Sequence, residues 1–302
     1  MPELPELEIA KEVLQRRVVG HTIDAVQLVG GGAAIIVRDL THHGFGETLI
    51  GALIAAVTRR GKFLVFSILP SLRDVSARVQ AIPFAAPEIA SHTSLAMTLY
   101  LVLNPKLTGR LQLARPGDKR MAKTHLVFPL SSGDELRYVD QRTMGQLYLT
   151  DDLSQVPDYA GLGPEPFEIS LDEFRDRLKP YRGEIKGILT RGEFIAGIGN
   201  AYADEILWAA GLHPYRKRSQ LTAEEIERLY QALQTTLRAA IEKVRAEMGE
   251  AIHLEPREFM AVHLKTDEPC PRCGTRISLI GANERITNFC RTCQPGGLIK
   301  GM

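Results

Sequence analysis

The chain has 302 residues, room for about two domains with buried cores, and its 44% hydrophobic and 24% charged content is that of an ordinary globular protein. It has no apolar run long enough to span a bilayer, and its acidic start lacks the basic-then-apolar order of a secretion signal, which argues against a membrane or secreted protein and for the cytoplasm. The net charge of +1 hides a split: residues 1–150 carry +4, residues 151–264 carry −6 and residues 265–302 carry +3, so two basic ends that suit a nucleic acid flank an acidic middle.

The opening Met1-Pro2-Glu3-Leu4-Pro5-Glu6 offers unusual chemistry. Removal of Met1, expected before a small second residue in the cytosol, turns the ring nitrogen of Pro2 into a free secondary amine. An α-amino group has an unperturbed pKa near about 8, and a secondary amine condensing with a carbonyl carbon gives a cationic iminium, an electron sink. Glu3 then sets a carboxyl group where it can move protons to and from the bound carbon skeleton. A structural role for the same residues is that Pro5 starts a helix whose dipole suits Glu6 and Glu8. The spacing of Leu7, Ala10, Leu14 and Val18 predicts that helix over Glu6 to Val19, with Gly20 ending it.

Short segments rich in β-branched and aromatic residues follow: Ile23 to Val29, Leu49 to Val57, Phe63 to Leu69, Leu95 to Leu103, Leu107 to Leu113, Thr124 to Phe128 and Glu135 to Val139. Strands without intervening helices predict a sandwich or a barrel. The stretch from Pro70 to Ser94 loses the pattern and reads as a surface excursion. Arg59-Arg60-Gly61-Lys62 before one strand forms a cationic cluster suited to a phosphate backbone or simply to solvent.

Val156 to Pro166, rich in Pro and Gly, reads as a linker. Helices come next. Ser170 with Glu173 and Thr222 with Glu225 make capping boxes, the second opening a long helix with Ile226, Leu229, Tyr230, Leu233, Leu237, Ile241 and Val244 on one face. Between them, the turn Gly197-Ile198-Gly199-Asn200 leads into a helix over Ala201 to Ala210, either as an anion site with Asn200 as an extra donor or as a tight connection.

All four cysteines lie near the end, as Cys270-Pro-Arg-Cys273 and Cys290-Arg-Thr-Cys293 with sixteen residues between the pairs. Two such knuckles converge four thiolates on one tetrahedral zinc ion, closed to catalysis and therefore structural; two disulfides would need an oxidising compartment. The segment between the pairs should be a two-stranded ribbon. Arg285, Thr287 and Phe289 alternate along it, presenting Arg285 either to a phosphate or to solvent.

Together these residues resemble the formamidopyrimidine-DNA glycosylase and endonuclease VIII family, in particular its formamidopyrimidine branch. The matching stretches are Met1 to Glu6, Arg59 to Phe63, Thr108-Gly109-Arg110, Leu136 to Arg142, Leu162 to Pro166, Gly197 to Glu205 and Cys270 to Gln294, in the family's order across nearly the whole chain. The resemblance implies an α+β multidomain protein. Its parts would be an N-terminal catalytic β-sandwich with a leading helix (1–155), a linker (156–169), a helix-two-turns-helix DNA-binding domain (170–262) and a C-terminal zinc-finger β-ribbon (263–302). It also implies a monomer acting on damaged double-stranded DNA in a bacterial-type cytoplasm, at the nucleoid.

By the same resemblance Pro2 attacks the sugar C1′ of a flipped-out nucleotide, and the iminium lets the sugar open and eliminate the 3′ and then the 5′ phosphate. Glu3 would serve as acid and base at the sugar, Lys62 as proton donor in β-elimination, and Arg285 as a phosphate grip with a proton role in δ-elimination. Asn200 and Lys123 would contact phosphates, and Arg142 would enter the space that the flipped base vacates.

Departures from the family pattern concentrate at the lesion. Asn104-Pro105-Lys106-Leu107 stands where the family has His-Leu-Gly-Met, so Leu107 replaces the void-filling methionine. Arg142-Thr143-Met144-Gly145 replaces Arg-Arg-Phe-Gly, so Met144 takes the place of an aromatic wedge. Lys123-Thr124-His125 replaces His-Asp-His, and Arg191-Gly192 stands where Asp-Gln is common. The stretch from Ile241 to Cys270 is short and lacks the Gly-Gly pair that opens the family's loop over oxidised guanine. The expected activity is a bifunctional glycosylase and abasic-site lyase of base-excision repair acting on oxidised or ring-opened purines. The alternatives are an endonuclease VIII-like preference for oxidised pyrimidines, a damage-binding protein with weak or lost glycosylase activity, and a zinc-ribbon RNA-binding protein.

Overall fold

The computed structural model describes residues 1–71, 98–281 and 286–296. Most of the excursion after Pro70, and Arg285, lie outside the described residues. The chain divides into two compact units: Met1–Pro2, Leu7–Ala160 and Met248–Glu255 form the first, and Glu3–Glu6, Gly161–Glu247 and Pro256–Met302 the second.

Helix α1 (Leu4–Arg17) begins two residues before the expected start, because Pro5 lies in the first turn, where a missing N–H costs nothing. In the first unit the strands form two sheets. The larger orders β2 (Val37–Asp39), β9 (Gln146–Thr150), β5 (Leu99–Asn104), β4 (Phe63–Leu69) and β3 (Leu53–Arg60) side by side, antiparallel except for β2 with β9. The smaller orders β1 (Gln27–Leu28), β7 (Thr124–Pro129), β8 (Glu135–Asp140) and β6 (Gly109–Ala114), all antiparallel. These are the two sheets of a sandwich, with Phe66, Ile68, Leu101 and Leu149 buried on one and Leu111, Leu126, Phe128 and Leu136 on the other. Gly61, with φ +56°, takes the first position of the two-residue loop between β3 and β4, where an L side chain would be strained.

Three details differ from the sequence reading. Leu49 ends a short helix, α3 (Phe45–Leu49), so the expected strand starts only at Leu53. A second short helix, α2 (Ala33–Ile36), and strands β2 and β9 were not expected at all. The run from Ile23 to Val29 forms one isolated bridge, at Ile23, and only two residues of strand.

The second unit is helical apart from its ribbon. Helices α4 (Leu171–Leu178), α5 (Ile185–Leu189), α6 (Asn200–Ala210) and α7 (Ala223–Met248) enclose one core that includes Phe174, Phe194, Ile198, Tyr202, Leu207, Leu233 and Leu237. The capping box at Thr222 closes in both directions, and Ser170 caps its helix through its hydroxyl. Ser170 Oγ accepts the Glu173 N–H at 3.2 Å, and Thr222 and Glu225 bond each other's N–H groups at 3.0 and 3.3 Å. Strands β10 (Ser278–Ile280) and β11 (Thr287–Phe289) pair antiparallel as the ribbon.

Candidate active site and metal centre

In the second unit the site begins with Glu3, which is 1% exposed. Its carboxylate accepts the N–H groups of Gly199 at 2.6 Å, Ala201 at 3.0 Å and Tyr202 at 3.3 Å, all at the start of α6. The anion site foreseen at this turn therefore holds the chain's own carboxylate. Gly197 makes the approach possible. It has φ +88°, its carbonyl accepts the Leu4 N–H at 3.0 Å, and a Cβ there would lie 2.9 Å from Leu4 Cβ.

Behind Glu3 stands a second buried carboxylate. Glu6 accepts the Glu3 N–H at 2.9 Å and the Tyr202 hydroxyl at 2.7 Å, and pairs with Arg257 at 3.0 Å. Burial leaves its pKa raised, and Arg257, Tyr202 and the Glu3 N–H offset only part of that rise. Sequence reading assigned no role to Tyr202 or Arg257; a partner 196 or more residues away leaves no local signal.

In the first unit Pro2 is buried. With Met1 in place its nitrogen is an amide, and the Met1 ammonium pairs with Glu255 at 3.0 Å, with Arg110 3.3 Å from the other carboxylate oxygen. Lys62 occupies the β3–β4 turn. Its neighbour Arg59 is not a free phosphate ligand, because its side chain is 8% exposed and its Nε donates to Glu8 at 2.7 Å.

The residues expected at the vacated base are gathered by Asp140, a residue fully buried at the end of β8. Its carboxylate accepts the N–H groups of Arg142 at 3.1 Å, Met144 at 2.9 Å and Gly145 at 2.7 Å, together with the hydroxyls of Tyr138 at 3.1 Å and of Thr108. Thr108 Oγ1 also accepts the Arg142 N–H at 3.1 Å, which ties the loop of Leu107 to that of Arg142. The Asp140 N–H donates to the Lys123 carbonyl at 3.0 Å, bringing in a third loop. In these three loops Lys106, Lys123 and Thr143 hold left-handed φ values of +47°, +61° and +55°, strained for residues with a Cβ. Arg142, Lys123 and Met144 are exposed and Leu107 half-buried. Asp140 was legible in the motif, but its partners come from three separate loops and from its own strand.

The four cysteine sulfurs lie within 4.8 Å of one another. Sulfurs around a tetrahedral zinc with bonds of about 2.3 Å are about 3.8 Å apart, so the set fits one structural Zn2+ with no open position. The thiols do not ionise together unaided: hydrogen bonds from Thr275 lower Cys273 to about 6, while burial and the neighbouring sulfurs push Cys293 up to about 12. The knuckles dock on α6, where Trp208 Nε1 donates to Cys270 Sγ at 3.4 Å and the Arg272 guanidinium stacks 4.2 Å from the Trp208 ring centre. Strand β11 is buried throughout; Lys186 donates to Thr287 Oγ1 at 2.8 Å and pairs at 2.7 Å with Asp204, which also lies 2.9 Å from His263 Nδ1. Thr287 and Phe289 thus face protein, not a ligand.

The sequence matches the model of the formamidopyrimidine-DNA glycosylase N-terminal domain over residues 1–147, that of its H2TH domain over 162–250, and a zinc finger found in FPG and IleRS over 267–296. The formamidopyrimidine-DNA glycosylase of Symbiobacterium thermophilum is 33% identical, covering 98% of this chain and 90% of its own. That of Herpetosiphon aurantiacus is 32% identical over 97% of this chain and 100% of its own. Among solved structures, Lactococcus lactis Fpg in complex with an abasic site containing DNA superposes with a TM-score of 0.76 at 28% identity, covering 97% of this chain and all of that one. MutM in complex with carbocyclic 8-oxo-G containing DNA gives 0.77 at 28% identity over 98% of this chain and all of that one. Matches of this extent, over all three parts and on full-length relatives, establish that the chain belongs to the formamidopyrimidine-DNA glycosylase family.

Proposed function

We propose that this chain is a bifunctional DNA glycosylase and abasic-site lyase of base-excision repair, acting on damaged double-stranded DNA. Family membership and the DNA-bound structures it resembles support the class of activity. The observation that carries the mechanism is the anchoring of Glu3 on the start of α6, which holds the residue next to Pro2 rigidly.

Once Met1 is removed, the Pro2 amine attacks C1′ of the deoxyribose and the damaged base departs with a proton. The nitrogen gives up its proton, the C1′–O4′ bond breaks with O4′ taking a proton, and the nitrogen lone pair closes the iminium; that cation acidifies the C2′ hydrogen, whose loss expels the 3′ phosphate, and a second elimination expels the 5′ phosphate. Glu3 moves the proton at the opening sugar, Lys62 donates in the first elimination, and Arg285 grips the phosphates and serves the second. Arg142, Leu107 and Met144 fill the vacated base position, and Asn200 and Lys123 hold the backbone. Cys270, Cys273, Cys290 and Cys293 bind the zinc, which fixes the ribbon and takes no part in the chemistry. This reading keeps the division into 1–155, 156–169, 170–262 and 263–302, with the chain acting as a monomer at the nucleoid of a bacterial-type cytoplasm.

Borohydride reduction of the protein on a duplex with one abasic site, followed by mass spectrometry of the N-terminal peptide, tests it. A covalent adduct on Pro2 with Met1 absent supports the lyase; tight binding without an adduct identifies a damage-binding protein. The purine preference is tested separately, because Met144 stands 45% exposed where the family carries an aromatic wedge. Comparing duplexes with 8-oxoguanine, formamidopyrimidine and thymine glycol separates purine from pyrimidine preference.

A further inference from the structure

The peptide N–H that Glu6 holds at 2.9 Å is the one joining Pro2 to Glu3, so whatever fixes Glu6 also fixes the residue that carries the proposed nucleophile. Glu6 is 2% exposed, and a carboxylate so buried is stable in its charged form only with a cationic partner and hydrogen bonds for both oxygens. That cation comes from the far end of the chain. Arg257, in the short connection between α7 and the zinc knuckles, places its guanidinium 3.0 Å from Glu6 Oε1 and 5.3 Å from the centre of the Tyr202 ring. Its side chain is only 14% exposed.

We infer that Arg257 is a positioning residue for the lyase reaction, acting through Glu6 to hold the Pro2–Glu3 peptide in the orientation that the nucleophile needs. The inference rests on the Pro2 reading above. The groups facing the Glu6 carboxyl are Arg257, the Tyr202 hydroxyl, the Glu3 N–H and, as an opposing charge, the Glu3 carboxylate. Without Arg257, which offsets part of the rise that burial causes, Glu6 takes up a proton at still higher pH than in the native chain. A protonated Glu6 holds the Glu3 N–H through a weaker, uncharged acceptor, and the amine loses its fixed placement.

The test uses the full zinc-loaded chain with Arg257→Met, which keeps the apolar stem, and Arg257→Lys, which keeps the charge. Single-turnover trapping on an abasic duplex is measured across pH, alongside binding to a duplex with a tetrahydrofuran abasic analogue and the thermal midpoint. In Arg257→Met, trapping should slow roughly 10- to 100-fold, as expected when a reacting group is misplaced by about 1 Å, with its acid limb moved to higher pH and analogue binding within about twofold of native. Arg257→Lys should recover most of the rate. An Arg257→Met chain that traps at the native rate with an unmoved pH profile overturns the inference. So does a parallel loss of trapping, binding and thermal stability that lysine does not rescue, because that marks a purely structural residue. If the native chain forms no adduct, the Pro2 reading itself fails and takes this inference with it.

Discussion

Replacing Asp140 by asparagine isolates what one buried charge does for the loop that presents Arg142 and Met144. In the native chain Oδ2 accepts the N–H groups of Met144 and Gly145 at 2.9 and 2.7 Å and the Tyr138 hydroxyl at 3.1 Å, while Oδ1 accepts the Arg142 N–H at 3.1 Å and the Thr108 hydroxyl. An asparagine whose carbonyl oxygen takes the Oδ2 place keeps the first three contacts. Its NH2 group then faces the Arg142 N–H, whereas the Thr108 hydroxyl can turn and accept. The loss is one hydrogen bond to a charged acceptor and the charge assistance of three more, together about 2–4 kcal/mol. Burial alone would raise the Asp140 pKa, but the Thr108 hydroxyl, the N–H groups of Gly145 and Arg142 and the Tyr138 hydroxyl hold it below the ordinary carboxylate range. The stabilisation is therefore complete above the unfolded value of about 3.9 and is lost as pH falls through the lower folded value. Urea unfolding followed by circular dichroism should show the full gap between native and variant at neutral pH and a smaller one by about pH 3. Hydrogen exchange should quicken at the amides of Arg142, Met144 and Gly145. A gap under about 0.5 kcal/mol at neutral pH, or one that does not narrow on acidification, refutes the account.

Gly197→Ala meets both a φ of +88° and Leu4 Cβ 2.9 Å away, and should cost about 2–4 kcal/mol, read in urea by the fluorescence of Trp208, the only tryptophan. A cost under about 1 kcal/mol would show that the turn relaxes freely. Chelation of zinc, or Cys290→Ser, should change Trp208 emission through its 3.4 Å contact with Cys270 and abolish DNA binding; unchanged emission with full activity would sink the structural-zinc assignment. Met144→Phe restores a flat face, and stacking worth roughly 1–3 kcal/mol should alter the ratio of 8-oxoguanine to thymine glycol turnover severalfold or more. An unchanged ratio means that the exchanged wedge is silent.

Much of the architecture was legible because its causes are local. The Ser170 cap, the capping box at Thr222, the apolar stripe of α7 and the spacing within each cysteine knuckle depend on residues close together in the chain, and each formed where expected. The family motifs also brought out Pro2, Glu3, Lys62 and Arg142 as candidates. Strands β2 and β9 and helices α2 and α3 escaped notice because short elements are set by what they pack against, and their own propensity is weak. Tertiary structure alone decided which groups meet. The anion at the start of α6 turned out to be Glu3, 196 residues from Gly199, and Arg59 went to Glu8 instead of to solvent. Asp140 drew its donors from separate loops, and Arg257 reached Glu6 from the other end of the chain. A buried charge must find partners wherever the fold brings them, whatever their distance along the chain, so its partner is a property of the packed molecule.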